Sequence, residues 1–215
     1  MKILIPYILF VFLLTLQCTN PFTTRSDQVQ KPDNQNGSNT SYDPAINPDL
    51  VFTNLRKSIN QKKIEEYMRC LIPEQNQNEH QYIFEADPYF KDEFSTRPWT
   101  LSDERNYFTQ LILSGKNDYP LLSFEFADSN LSLRPITPTS VNDSLESSSV
   151  PYKLRVTYTP DSSVVYQGQC RFKIFKLTAP PETWHIYYWQ DLAVNQMYDK
   201  TWTFLKLYFR KTTKQ

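Results

Sequence analysis

Thr183-Trp184-His185-Ile186-Tyr187-Tyr188-Trp189-Gln190-Asp191-Leu192 is rich in aromatic residues and reads as a long strand entered from the Pro180-Pro181 loop. The chain before it repeats with the same period of two. Leu122, Phe124 and Phe126 alternate with Ser123 and Glu125, and Tyr152, Leu154, Val156 and Tyr158 alternate with Lys153, Arg155, Thr157 and Thr159. A longer run sets Val164, Tyr166, Gly168, Cys170, Phe172 and Ile174 against Gln167, Gln169, Arg171 and Lys173. Successive side chains on a strand point to opposite faces, so each strand carries one apolar and one polar face. Pro160-Asp161-Ser162-Ser163 has the composition of a hairpin turn between two of these strands. One-sided strands of this kind predict an antiparallel sheet that packs on helices from one side. The Ser-rich segment Val141 to Val150 is expected as a loop.

The helices come first in the chain. Asn47 is a capping residue, Pro48 suits the first helical position, and Asp49 suits the positive end of the helix dipole. Leu50, Val51, Leu55 and Ile59 then form one apolar stripe, and Ile64, Tyr67, Met68 and Leu71 form a second after a break near residues 60–63. Tyr82, Phe84 and Ala86 alternate with Ile83 and Glu85 as a short strand. Thr100 and Asp103 set up a capping box for a third helix, Leu101 to Leu113, whose stripe is Leu101, Tyr107, Phe108, Leu111 and Ile112; Ser114-Gly115 ends it. Helices followed by long antiparallel strands define an α+β layout.

The N-terminus reads as an export address. Lys2 precedes an apolar run from Ile3 to Leu16, which is the length of a secretory leader and short of the roughly 20 residues that span a bilayer. The run ends at Gln17 and Cys18, an arrangement that resembles a bacterial lipoprotein signal, in which the cysteine is acylated and becomes the new N-terminus. The expected organisation is a signal peptide over 1–17, a lipidated Cys18 with a flexible tether over 18–46, and one folded domain over 47–215. The tether follows from composition: from Thr19 to Ile46 the chain is Asn, Gln, Ser, Thr, Asp and Pro with almost nothing to bury. The expected location is the cell envelope, with the lipid as the membrane contact.

Charge and composition exclude several classes. Lysine plus arginine equals aspartate plus glutamate at 23 each, and loss of the leader removes only Lys2. A near-neutral chain has no field to gather nucleic acid, so no nucleic-acid partner is expected. The C-terminal basic group Lys206, Arg210, Lys211 and Lys214 reads as a solvated tail. With 3 glycines there is no glycine-rich phosphate loop, and with 2 histidines and 3 cysteines there is no metal-ligand spacing, so neither cofactor nor metal is expected. Cys70 and Cys170 are expected as buried free thiols, with a helix-to-sheet disulfide as the alternative.

The paired opening helices with Asn54-Leu55 and Tyr67, the Glu104-Arg105-Asn106-Tyr107-Phe108 helix, and above all Trp184 to Leu192 resemble the cystatin-like cone of the nuclear transport factor 2 superfamily, which includes the SnoaL-like proteins. Trp202 and Leu205 fit the short terminal element of that layout. The resemblance covers roughly residues 47–210 and implies a curved antiparallel sheet wrapped around the N-terminal helices, leaving a conical cavity. Some members use that cavity to isomerise or cyclise small apolar molecules, and many only bind. Tyr67, Phe84, Asp87, Trp184 and Tyr188 are the expected cavity lining.

No catalytic pair is evident. On a regular strand His185 and Asp191 share a face, yet six residues at about 3.3 Å each hold them about 20 Å apart. The expected function is a membrane-tethered, non-enzymatic binding or interaction module. Phe175, Tyr187 and Trp189 on the solvent face of the sheet suggest either a homodimer through that sheet or cover by the last segment of the chain. The alternative is a small-molecule isomerase- or cyclase-type enzyme or carrier, with a small apolar ligand in the cone.

Overall fold

The first and third expected helices start where their caps place them. In the computed structural model, which describes residues 42–212 apart from 77–78, 129–130, 140–142 and 196–199, with side chains to residue 210, α1 spans Pro48–Asn60. The Asn47 side chain accepts from the Leu50 amide at 3.2 Å, satisfying one of the free N–H groups of the first turn. Helix α2 spans Ile64–Arg69 and α3 is a short helix over Lys91–Ser95 that the pattern does not announce. Helix α4 spans Leu101–Leu113 with the expected capping box: Thr100 accepts from the Asp103 amide, and the Asp103 carboxylate accepts from the Thr100 amide.

The strands are β1 (Ile83–Glu85), β2 (Leu121–Phe126), β3 (Leu133–Pro135), β4 (Ser144–Ser147), β5 (Val150–Thr159), β6 (Ser162–Leu177) and β7 (Thr183–Leu192). Strand β6, 16 residues long, is the spine. Along one edge it pairs antiparallel with β7; along the other it pairs first with β5 and then with β4. Strand β2 extends the sheet beyond β5, β3 extends it beyond β4, and β1 adds to β7 as a parallel edge. The result is an α+β fold with an open, curved, mainly antiparallel sheet whose inner face packs on the helices. The hairpin between β5 and β6 turns at Pro160-Asp161, as expected.

The structure corrects several readings of the sequence. First, the Ser-rich loop contains a strand: Ser144, Leu145 and Glu146 pair with Phe175, Ile174 and Lys173, and buried Ser147 accepts from the Phe172 amide at 2.9 Å. Second, the last five residues of the expected tether, 42–46, belong to the packed body. Ala45 is buried and its carbonyl accepts from the Trp184 amide at 2.8 Å, while the Asp43 carbonyl accepts from Asn54 at 2.6 Å. The rest of the tether, Cys18 and the leader lie outside the described residues.

The third correction concerns β7. The ladder pairs Ile174 with Ile186 and Lys173 with Tyr188, so Tyr187 is an extra residue on β7, a β-bulge. Because side chains alternate, one inserted residue exchanges the two faces beyond it. Ile186 before the bulge and Trp189 and Asp191 after it all face inward and are buried. Trp189 is therefore core, not solvent face. His185 pairs with Phe175 and Asp191 pairs with Cys170, five residues apart on β6, so they lie on opposite faces.

A last helix, α5, spans Trp202–Thr212. Trp202, Thr203, Leu205, Lys206, Leu207 and Phe209 are buried, while Phe204 and Tyr208 are exposed. Rather than trailing as a solvated tail, α5 lies within the curve of the sheet. Arg210 packs its guanidinium on the Phe94 and Trp99 rings at 4.6 and 4.7 Å and donates to the Glu93 carbonyl at 3.1 Å. The described residues include two of the three cysteines, and each is a buried free thiol: Cys70 donates to the Glu66 carbonyl and Cys170 to the Val150 carbonyl.

Candidate functional site

Two polar nodes sit inside the sheet, each built from α5 and the elements facing it. The first centres on Glu104, on the buried stripe of α4, and Lys206 of α5; both are 0% exposed and they form an ion pair. The Glu104 carboxylate also accepts from the Tyr67 hydroxyl, from the Tyr82 hydroxyl at 3.0 Å and from the Trp99 indole N–H at 2.6 Å. Four donors thus converge on one carboxylate, which suits the charge-assisted acceptor capacity of its two oxygens.

The ammonium of Lys206 is held by more than its counter-ion. Its Nζ lies 4.1 Å from the Phe84 ring centroid, 4.7 Å from Trp189, and 5.2 Å from both Trp99 and Tyr107. All four fall within the range at which a ring quadrupole attracts a cation. The Tyr107 hydroxyl in turn accepts from the Trp202 indole at 2.8 Å, and Tyr67 stacks on Phe108 at 4.3 Å, so the walls are themselves fixed. Burial pushes the Lys206 ammonium down to about 8, against the opposing pull of Glu104. Burial, reinforced by the Glu104 charge, pushes the hydroxyls of Tyr67, Tyr82 and Tyr107 well above their ordinary value.

The second node centres on Asp191 of β7. One carboxylate oxygen accepts from the Tyr152 hydroxyl at 2.7 Å; the other accepts from the Thr203 amide at 2.5 Å and the Thr203 hydroxyl at 2.6 Å. Tyr152 accepts from the Trp202 amide at 2.7 Å. The free N–H groups at the start of α5 are thereby satisfied, and the carboxylate faces the positive end of the helix. Gly168 permits this arrangement, because a Cβ there would stand 2.6 Å from the Leu192 carbonyl and 3.0 Å from the Tyr152 hydroxyl. Burial raises the Asp191 pKa, and the hydrogen bonds from Thr203 and Tyr152 oppose the rise.

The residues expected to line a cavity divide between these nodes and the outside. Tyr67 and Phe84 are at the first node, one as donor to Glu104 and the other as cage wall. Asp87 is buried as a backbone clamp: its carboxylate accepts from the Tyr89 amide at 2.9 Å and the Ala193 amide at 2.5 Å, and its own amide donates to the Thr203 hydroxyl at 2.9 Å. Trp184 is buried five residues before the bulge-shifted Trp189, which is the tryptophan that reaches the cage. Tyr188 is on the outer face, donating to the Glu85 carboxylate with Lys173 over its ring at 4.8 Å.

Glu104 and Lys206 are absent from the expected lining, although the helical period marks both. Glu104 falls between Leu101 and Phe108 at spacings of three and four, and Lys206 falls four after Trp202 and three before Phe209. Charges of opposite sign on the apolar stripes of two helices are the signature of a buried pair.

Two surface hollows complete the picture. One, of about 750 Å³, has Tyr42, Met68, Arg69, Arg105 and His185 among its lining. The His185 Nδ1 faces the Arg69 and Leu71 carbonyls at 3.0 and 3.2 Å, which assigns it the ring proton, and its Nε2 accepts from Thr183 at 2.9 Å. Burial lowers its pKa. The other hollow, of about 760 Å³, has Leu113, Tyr158, Tyr166, Phe204 and Tyr208 along its wall.

No family model and no curated protein matches the chain. Among solved structures it is similar to an NTF2-like protein with a cystatin-like fold from Novosphingobium aromaticivorans, at 3% identity, TM-score 0.44, over 67% of this chain and 78% of that one. It is also similar to the CaMKII hub homology domain of a Chlamydomonas, at 14% identity, TM-score 0.46, over 67% and 96%. A ketosteroid isomerase-like protein from Erwinia carotovora atroseptica is similar at 9% identity, TM-score 0.42, over 67% and 92%. Likenesses this distant carry no chemistry across, and the site is read from its own residues.

Proposed function

We propose that the chain is a membrane-tethered lipoprotein of the bacterial envelope, acylated at Cys18, whose body is a non-enzymatic binding or interaction module. The observation that favours a non-enzymatic body is the filled interior. The space within the curved sheet is taken by α5, and the acid and base found there, Glu104 and Lys206, are bound to each other and to fixed aromatic donors. A general acid or base must reach a substrate proton within about 3 Å, directly or through one water. Both groups have their hydrogen-bonding atoms turned on the protein instead. Leader, cysteine and tether are read from sequence, and the lipid on Cys18 is the membrane contact in this proposal.

The surface assigned to interaction is the outer face of the sheet, with a second copy as partner. Phe175 and Tyr187 flank the His80 ring there at 4.2 and 4.3 Å, an aromatic cluster on the side away from the core. The enzyme or carrier reading has one feature in its favour, the 750 Å³ hollow beside His185, a volume suited to a small ligand. Both ring nitrogens of His185 are already engaged, which favours a carrier over a catalyst in that reading.

Expression of the full chain in a bacterial host with an alkynyl fatty acid tests the tether. The wild type is expected to take up label and enter a detergent phase, and Cys18→Ser to do neither. A mature protein with a free thiol at Cys18, or with Met1 retained, overturns the tether. Sedimentation of the solubilised protein reads the second copy: a concentration-independent monomer removes the homodimer.

A further inference from the structure

We propose that Glu104 and the rings of Phe84, Trp99, Tyr107 and Trp189 form a recognition cage for a primary alkylammonium ion, and that the folded chain occupies it in cis with Lys206. The inference is independent of the tether and stands on the cage alone.

The chemistry of the cage is that of a cation site. It supplies one carboxylate and four π faces within 5.2 Å of one nitrogen. Aromatic walls attract a cation without contributing a competing anion, and they cost little to desolvate. The single carboxylate gives the direction of a primary ammonium, which has N–H bonds to donate. An ordinary core position would ask only for volume, yet here Tyr107, Trp99 and the carboxylate are themselves held by hydrogen bonds. Trp202 donates to Tyr107, Tyr67 and Tyr82 hold Glu104, and Trp99 both faces the ammonium and donates to Glu104. The Trp189 indole N–H is buried with no hydrogen-bond partner, so this ring serves the cage through its face. The fixed carboxylate and walls amount to a preorganised receptor, and α5 delivers the ligand.

The test is to remove the tethered ligand and supply it free. Lys206→Ala deletes the atoms that n-propylammonium contains. The full chain carrying this substitution is refolded from urea with n-propylammonium chloride, 1-propanol or sodium chloride at matched concentration, so that entry to a buried site is not limiting. The variant alone is expected to melt lower than wild type by on the order of 10 °C. Propylammonium is expected to restore at least half of that loss in a saturable way, while propanol and sodium chloride restore none. Wild type, whose cage is filled, and Glu104→Gln/Lys206→Ala are expected not to respond. If Lys206→Ala does not fold unaided, recovery of native tryptophan fluorescence in propylammonium is the readout. Equal rescue by propanol would reduce the cage to a void, equal rescue by sodium chloride would reduce it to screening, and no rescue by the amine would remove it. A Lys206→Met variant as stable as wild type also overturns the inference, because the cage would then have no use for a charge.

Discussion

Lys206 sets the pH response of the interior. Its pKa in the folded protein is about 8, below the ordinary lysine value of 10.5 that applies to the unfolded chain. Between those values the unfolded state holds more protons, so this group makes stability rise with pH; its favourable contribution is complete above 10.5 and lost as pH falls through 8. The span corresponds to at most about 3 kcal/mol. The tyrosines act in the other direction. Tyr67, Tyr82, Tyr107 and Tyr152 have folded pKa values well above 10, so the stability they confer is complete below about 10 and declines as pH rises beyond it. Urea denaturation across pH 7 to 11 is therefore expected to show stability climbing from near pH 8 and falling above about 10. In Lys206→Met the climb is expected to disappear and the fall to remain. A climb that persists in Lys206→Met assigns it to another group.

At the scale of elements, the bulge in β7 decides what the interior contains. Deleting Tyr187 restores a regular ladder, which turns either Trp184 and Ile186 or Trp189 and Asp191 to the outside. Losing Trp189 opens the cage, and losing Asp191 strips the start of α5 of its carboxylate. The deletion is expected to cost about 5 kcal/mol or more, enough to abolish cooperative unfolding, as read by near-ultraviolet circular dichroism. A deletion variant that keeps the native signal would show that the ladder slips without penalty.

The same bulge explains what the sequence did not disclose. Helices α1, α2 and α4 were legible because caps and apolar stripes are local, and the β5–β6 hairpin because Pro160-Asp161 is a turn in any context. Counting by twos through Tyr187 cannot see an insertion that exists only in relation to β6, so it puts Trp189 on the solvent face and Tyr188 in the cavity. Strand β4 was invisible for a related reason: its Ser-rich composition has no strand preference, and its pairing with Lys173 to Phe175 of β6 forms it. Charge alone groups Lys206 with the basic tail, whereas its place on the stripe of Trp202, Leu205 and Phe209 puts it in the core.

For the molecule as a whole, α5 is part of the core rather than an appendage. Trp202 packs on Phe124, Tyr152 and Trp189, and Lys206 neutralises the fully buried Glu104 carboxylate. Removing residues 201–215 takes the counter-ion from Glu104, a loss of about 3–5 kcal/mol where the carboxylate stays buried, and strips Trp202, Leu205 and Phe209 from the core. The truncated chain is expected to keep its strands but lose fixed tertiary structure, giving far-ultraviolet dichroism without the near-ultraviolet bands and binding a hydrophobic dye. A sharp thermal transition in that truncation would show that the sheet and first helices hold together unaided.

The position of α5 in chain order has a consequence for biosynthesis. It follows every other element, so the ribosome delivers the central cation and its surrounding hydrophobes after the rest of the body has emerged. Until then the nascent polypeptide carries a carboxylate, three phenols and two indoles with no lid over them, and it has little reason to set. The finishing piece comes last, and the body hardens only once it arrives.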